Sequence, residues 1–523
     1  MSKRNSFLYE DNHTREISFP LGGIGAGSIG LSGSGRLIDW EVFNRPNKGS
    51  TNGISHFAVR AVRDGAVLDA RILNGPYFGN STGDYAAEPS RSFGFGARRD
   101  SLAGMPHFAA CKFDGRFPIA HLTFADDRFP GSVDLLAFNP FIPLADRESS
   151  MPAALFEITL RNTTDAPIDY TVASVLGHGF APPSVATPAQ ADSVSGVTIR
   201  TVTVQPDAPE YAEFTLATDA PATSRQTYLY RGLWFDALEV YWQDLTRPGS
   251  FRDRHFAAVE HEGGMHRDRD SSLQAAHVTV PAGETRTVRF VIAWYAPNFC
   301  KFWTSQPWHF TRPSPASGTW KNWYATEWQG AEHIAQDVLA NWAHLRSRTE
   351  LFRDALYAST LPHAVLDAAA ANLSILKTPT TVRLTDGTFY GWEGCGPQVG
   401  SCEGSCSHVW NYQQVLPFLF PALERSMRAA DYRYNMNEIG GMSFRLSLPL
   451  GSHLSTESPC ADGQFGNVMK LYRDWKLCGD DAWLARLWPH AKKSIEYAWH
   501  PANSDRWDPQ QTGVLWGRQH HTL

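Results

Sequence analysis

The apolar residues of this 523-residue chain change their period once along its length, and that change limits the folds open to it. Between about residues 110 and 300 they recur at every second position, as in Phe156, Ile158 and Leu160, then Ile168, Tyr170 and Val172, with the turn-forming stretch NTTDAP between. A strand with one face on a core buries alternate side chains, so the pattern predicts β-structure. In the segment HVTVPAGETRTVRFVIAWYAP, Val278 and Val280 precede a Pro-Ala-Gly turn, and Val288, Phe290, Ile292 and Trp294 follow it. This predicts a hairpin in a β-sandwich. After a Trp-, Pro- and Ser-rich stretch (303–320), the period becomes helical, with Ile334, Val338, Trp342 and Leu345 on one face. Phe465, Val468, Leu471 and Trp475 then run into the helix stop Cys478-Gly479, and Asp480 caps a second helix carrying Leu484, Leu487, Ala491, Ile495 and Ala498. That is an αα-hairpin, and from about residue 362 onward the pattern predicts helices joined by long loops.

Charge and composition exclude several classes of function. Lys+Arg 47 against Asp+Glu 53 leaves a net charge of -6, so no basic field exists to attract nucleic acid. No apolar run reaches the roughly 20 residues of a membrane-spanning helix. The start, MSKRNSFLYEDNHTRE, lacks the apolar core of a signal peptide, which makes a cytoplasmic location the expectation. Seven cysteines form an odd, scattered set, better read as reduced thiols than as a disulfide framework. Aromatic residues make up 12%, with 18 Trp, enough to fill large cores or to stack on the C–H faces of sugars.

Three constellations could carry chemistry. Gly25-Ala-Gly27-Ser-Ile-Gly30 matches the dinucleotide pattern, but the following LSGSGRL cannot start the required helix, so a glycine-bent strand and turn is expected. Cys395, Cys402, Cys406 and His408 offer zinc-ligand types, yet only Cys402 and Cys406 have ligand spacing and no second pair accompanies them, so no metal is expected. The third is FYGWEG (389–394) followed by SCEGSCSHVWNY (401–412). It sets two carboxylates, Glu393 and Glu403, among Gly, Trp, His and Asn. Glycoside hydrolysis needs one carboxylate at the anomeric carbon, a second that protonates the leaving oxygen, and aromatic and amide groups to hold the sugar.

These blocks, with REISFPLGGIGAGSIGLSGSGRLIDWEVFNRP (15–46), HVWNYQQVLPFLFPALERS, LYRDWKLCGDDAWLARLWP and the terminal GVLWGRQHHTL, resemble glycoside hydrolase family 116. That group contains the non-lysosomal (bile-acid) β-glucosidase/glucosylceramidase and bacterial and archaeal β-glucosidases. The resemblance implies a β-sandwich over residues 1–320, a helical linker over 321–361, and over 362–523 the first part of an all-α (α/α)6-barrel catalytic domain. It implies a retaining β-glycosidase acting on terminal β-glycosides, with a small-molecule carbohydrate or glycoside as partner and no cofactor or metal. A glucoside is the leading substrate, ahead of a xyloside or N-acetylglucosaminide. The alternative is a non-catalytic carbohydrate-binding homologue.

Residue by residue, the family's aromatic-x-x-Glu-Gly motif falls on Glu393, the expected nucleophile, and Glu403, also followed by Gly, is the alternative. His408, Trp410 and Asn411 occupy the sugar-lining region where the family has Tyr-Asp-Val-His, whose Asp is missing here. The family's His-Asp pair is replaced by Leu450-Gly451, with His453 as a substitute. Thr522 matches the Thr of Thr-aromatic-Asp, and the chain stops at Leu523, so the acid/base Asp is expected just beyond it, in a larger parent of which this chain is a C-terminally truncated fragment.

Overall fold

The structure is a computed structural model that describes residues 7–79, 97–189, 194–231, 236–254, 256, 270–300, 319–392, 394, 396–398, 405–451 and 459–517. Two antiparallel sheets dominate it. The larger has nine strands in the spatial order Leu8–Glu10, Ala110–Asp114, Ile119–Ala125, Ser132–Phe138, Ala153–Arg161, Thr285–Tyr295, Glu213–Thr218, Ser195–Thr201 and Ser184–Pro188. The smaller has five: Thr223–Gln226, Ser271–Val280, Ile168–Gly177, His56–Arg63 and Ala66–Ile72. Alternation sets the facing: in Ala153–Arg161, Phe156, Ile158 and Leu160 are buried while Glu157 and Thr159 are half-exposed. The sheets meet face to face, Phe57 of one lying 4.9 Å from Phe156 of the other, ring centre to ring centre.

The expected hairpin around Pro281-Ala-Gly283 is not one. Ser271–Val280 pairs with Ile168–Gly177 and Thr223–Gln226 in the smaller sheet, whereas Thr285–Tyr295 pairs with Ala153–Arg161 and Glu213–Thr218 in the larger. The turn carries the chain across the core from one sheet to the other. The glycine-rich segment behaves as expected: Ser18–Gly23 and Gly27–Ser32 pair around a turn at Gly25, whose φ is +70.

Helices follow. Ala331–Ala340 lies on the larger sheet, with Ile334, Ala335 and Val338 buried against Ala217, Val291 and Ala293, and Trp342–Tyr357 continues from it. The αα-hairpin forms as predicted, from Ala461–Cys478 and Asp481–Glu496. Gly479 is left-handed at φ +66, and Asp480 accepts a hydrogen bond from Trp483 N at 2.8 Å.

The expectation of a β-sandwich followed by an all-α (α/α)6 barrel is overturned. Among the described residues after 362 the α-helices are His363–Ser374, the single turn Leu416–Leu419, Pro421–Tyr434 and the αα-hairpin. Between them run antiparallel ladders, Thr381–Arg383 with Phe389–Gly391 and Ser405–Cys406 with Arg445–Leu446. The 3.6-residue period is strong in the hairpin and was extended over residues 375–460, where Gly, Pro, Ser and β-formers interrupt it. Among the described residues no helix is long and apolar enough to cross a membrane.

Candidate active site

A short hairpin leads into the site. Thr381–Arg383 pairs with Phe389–Gly391 in the register Val382 opposite Tyr390, closed by a turn whose Gly387 has φ +87. Three aromatics follow the turn, Phe389, Tyr390 and Trp392, all buried. Trp392 N donates to Thr380 O at 2.8 Å. The indole N–H of Trp410 is shared between the carbonyls of Gly391 and Trp392, at 3.1 Å each, and packs so closely on Gly391 that a Cβ there would overlap the ring. Trp410 therefore fixes the backbone immediately ahead of position 393.

Two residues before Trp410, His408 Nδ1 contacts the Asp462 carboxylate, and His408 Nε2 lies 3.3 Å from the Tyr412 hydroxyl. Asn411 Nδ2 donates to Asp462 O at 2.8 Å, and Gly466 leaves the Asn411 amide its space. Asp462 stands in the first turn of Ala461–Cys478, where a carboxylate is favoured by the helix dipole. Its Oδ1 also accepts from Gly463 N at 2.9 Å. The neighbouring Cys460 thiol is pushed up to about 12 by burial and then by the Asp462 charge, so it stays protonated. On the other side Ser407 N and Oγ both donate to Phe444 O at 3.1 Å, holding the 405–412 segment against the Arg445–Leu446 strand.

The amino-terminal part reaches this region too. Lys48 N donates to Pro397 O at 2.7 Å, and Gly25 N to Thr381 Oγ1 at 3.3 Å. From the other end of the chain, Trp516 N donates to Trp507 O at 2.8 Å, and Gly517 packs on Ala461 with no room for a side chain. Position 517 thus sits beside the first residue of the helix that carries Asp462.

Of the residues singled out from sequence, His408, Trp410 and Asn411 come together. Glu393, Glu403, His453 and Thr522 lie outside the described residues, as do Cys395 and Cys402 of the zinc constellation. Among the described residues no three His, Cys, Asp or Glu side chains converge as a metal site. Asp462 was missed: an acid in a helix's first turn reads as ordinary dipole compensation, and nothing in CADGQ ties it to a histidine 54 positions earlier.

A family model described as beta-glucosidase 2, glycosyl-hydrolase family 116 N-term, matches residues 18–345. No curated protein matches the sequence. A solved structure described as a kojibiose phosphorylase from the human microbiome is 10% identical with a TM-score of 0.40, over 91% of this chain and 56% of its own. A family-92 α-mannosidase from Bacteroides thetaiotaomicron is 12% identical with a TM-score of 0.35, over 93% of this chain and 55% of its own. The chain thus spans just over half the length of these solved structures.

Proposed function

The chain belongs to glycosyl-hydrolase family 116, and from that premise we propose that the whole protein is a retaining β-glycosidase acting on terminal β-glycosides, with a β-glucoside as the leading substrate. The observation that carries the reading is the family match over residues 18–345; beyond the matched stretch, Trp410 clamps the backbone at Gly391 and Trp392. Glu393 is the proposed nucleophile. An oxygen of its carboxylate bonds to the anomeric carbon as the glycosidic C–O bond breaks, and an acid protonates the departing oxygen. We assign that role to a second carboxylic acid about 5 to 5.5 Å from the nucleophile, the separation of retaining pairs. Water then attacks the glycosyl-enzyme, giving its proton to the conjugate base of that acid and releasing Glu393.

His408 is the proposed polar contact for sugar hydroxyls, with His453 and Thr522 as further contacts, while the Asn411 amide is taken up in holding the Asp462 carbonyl. Trp410 acts through the backbone it holds, fixing the carbonyls of Gly391 and Trp392 with one indole N–H, and such positioning is a large part of catalysis.

The test is intact mass of the full-length protein, wild type and Glu393→Gln, after exposure to 2-deoxy-2-fluoro-β-glucosyl fluoride, followed by peptide mapping. The expected result is one fluoroglucosyl adduct on Glu393, lost in Glu393→Gln. An adduct on Glu403 would keep the retaining mechanism and move the nucleophile. No adduct, with β-glucosides still bound, would point to the non-catalytic carbohydrate-binding homologue.

A further inference from the structure

We propose that a cavity between the larger sheet and the helix Trp342–Tyr357 is a binding site for a small organic carboxylate. It shares no residue with the Trp410 segment and does not depend on the glycosidase reading.

Strand pairing sets the floor of the cavity. Asp114 stands opposite His121, and His121 opposite Leu136, across three adjacent strands. Directly paired residues project from the same face of a sheet, and Ile119, two residues before His121, shares that face. The helix supplies the wall. Its first turns are tied to the sheet at Glu157, which accepts from Trp342 Nε1 at 2.7 Å and from Arg346 Nε at 3.3 Å. Arg353, at one further interval of two turns along the same helix face, reaches the other end of the groove. Arg116, in the turn between Ala110–Asp114 and Ile119–Ala125, faces it there. Asp114, Arg116, Ile119, His121, Leu136 and Arg353 enclose about 220 Å³. Sites for drug-sized ligands run from roughly 300 to 1,000 Å³, so the occupant is a smaller molecule. The way in lies beside Arg116 and His121, whose side chains are each 45% exposed.

The lining has the chemistry of a carboxylate site, because each guanidinium is held on one edge and free on another. Arg116 gives Nε and Nη2 to Asp114, at 3.0 and 2.6 Å, and its Nη1 makes no hydrogen bond among the described residues. Arg353 gives Nε to Asp354 at 2.8 Å, while Glu350 stands 3.6 Å from Nη2, beyond hydrogen-bond range. Both Nη groups of Arg353 are therefore without a hydrogen bond among the described residues. The His121 ring is too, since its Nε2 is 3.6 Å from Asp134, an oxygen that already accepts from Thr123 at 2.7 Å. Two guanidinium groups thus line the cavity against one carboxylate, Asp114, which is occupied by Arg116. Asp354 and Glu350 flank Arg353 from outside, and Asp354 is 62% exposed, so water weakens its hold. A ligand carboxylate accepts two parallel N–H bonds from a guanidinium edge, and Ile119 and Leu136 lie beneath for its carbon frame. An anion of this kind is favoured over a neutral polar molecule because only the anion gains from both cations.

Isothermal titration calorimetry on the full-length protein at low ionic strength tests this, with cyclohexanecarboxylate as probe and cyclohexanecarboxamide as its uncharged counterpart. The carboxylate should bind once per chain and the carboxamide should not bind measurably. Arg116→Met and Arg353→Met should each weaken binding by about 10-fold or more. Arg286→Met, which removes a cation paired with Glu284 and absent from the cavity, should leave it unchanged. Asp354→Asn should tighten binding by releasing Arg353 Nε, whereas Asp165→Asn, a change of the same charge on the 96%-exposed Asp165, should not. A gain of affinity in Asp354→Asn cannot be imitated by a variant that merely folds poorly. The proposal is overturned by a wild type that does not bind the carboxylate, by equal binding of the carboxamide, by affinity unchanged in Arg116→Met and Arg353→Met, or by equal effects of the cavity variants and their remote controls, which would mark a diffuse charge effect.

Discussion

Lys470 is buried between Pro421–Tyr434 and Ala461–Cys478 in a network with Glu424, Arg428, Asp431, Arg473 and Asp474. Burial, and then the Arg428 charge, push its ammonium down to about 7, against pulls from Glu424 and Asp431, and its Nζ has no hydrogen-bond partner among the described residues. The sign of the pH effect follows. Between about pH 7 and the ordinary lysine value near 10.5 the unfolded chain holds a proton that the folded one has lost, so stability rises with pH across that window and is flat with respect to this group below it. One proton gives at most about 1.4 kcal/mol per pH unit. Urea unfolding at pH 7, 8 and 9 should show the rise in the wild type and its loss in Lys470→Met. An identical slope in both would remove Lys470 as its source. At this scale the sequence offered candidates only through the resemblance: His408, Trp410 and Asn411 were singled out because they occupy the stretch where the family lines its sugar subsite. The network residues sit at ordinary helix positions, and only the packing of two helices makes them one charged cluster.

The glycine hairpin shows how an element can be read correctly and its purpose missed. Its bend was legible in Gly25-Ala-Gly27, but its role is to dock on the Thr381–Arg383 strand that leads into the site, through Gly25 N and Thr381 Oγ1. A Cβ at Gly25 would stand 2.7 Å from Arg383 Cβ and 2.8 Å from its backbone N, at a φ of +70 that side chains rarely adopt. Gly25→Ala should therefore cost at least about 1 kcal/mol from the backbone conformation alone, and more from the contact. It should also lower kcat of the full-length protein by releasing the strand. Denaturant unfolding and steady-state kinetics would read both effects, and an unchanged kcat beside the lost stability would confine the docking to a structural role. Other elements divide by how local their determinants are. The αα-hairpin was legible because a Gly stop, an Asp cap and two apolar stripes all lie within it. The Pro281-Ala-Gly283 turn was misread because turn residues specify a reversal and leave open which sheet receives the next strand. The all-α expectation failed for the same reason, since periodicity at one end of a segment says nothing about its middle.

At the scale of the whole molecule, one apolar cluster runs from the two sheets into the segment after residue 362. The cluster containing Phe19, Phe57, Phe156 and Phe290 of the sheets also contains Leu373, Leu376, Phe389, Trp410, Phe420 and Met427. Polar links parallel it: Lys377 Nζ donates to Asn139 Oδ1 and Pro140 O at 2.5 Å each and to Ser149 O at 3.0 Å, Arg383 pairs with Asp146, and Leu144 N donates to Leu419 O at 2.8 Å. Burial drives the Lys377 ammonium well below its ordinary range, and its three acceptors are what it exchanges for water. A core shared in this way cannot open on one side without exposing the other, so calorimetry should show these residues unfolding with the sheets in one transition. Lys377→Met tests the coupling. It leaves Asn139 Oδ1 and Pro140 O without that donor, at about 1–3 kcal/mol each, while Ser149 O keeps Ile24 N, so the transition should move to lower temperature as a whole while staying single. A low-temperature shoulder that splits off, with the remaining transition unmoved, would mean that the sheets and the segment from residue 375 onward are separate folding units joined only at their surfaces.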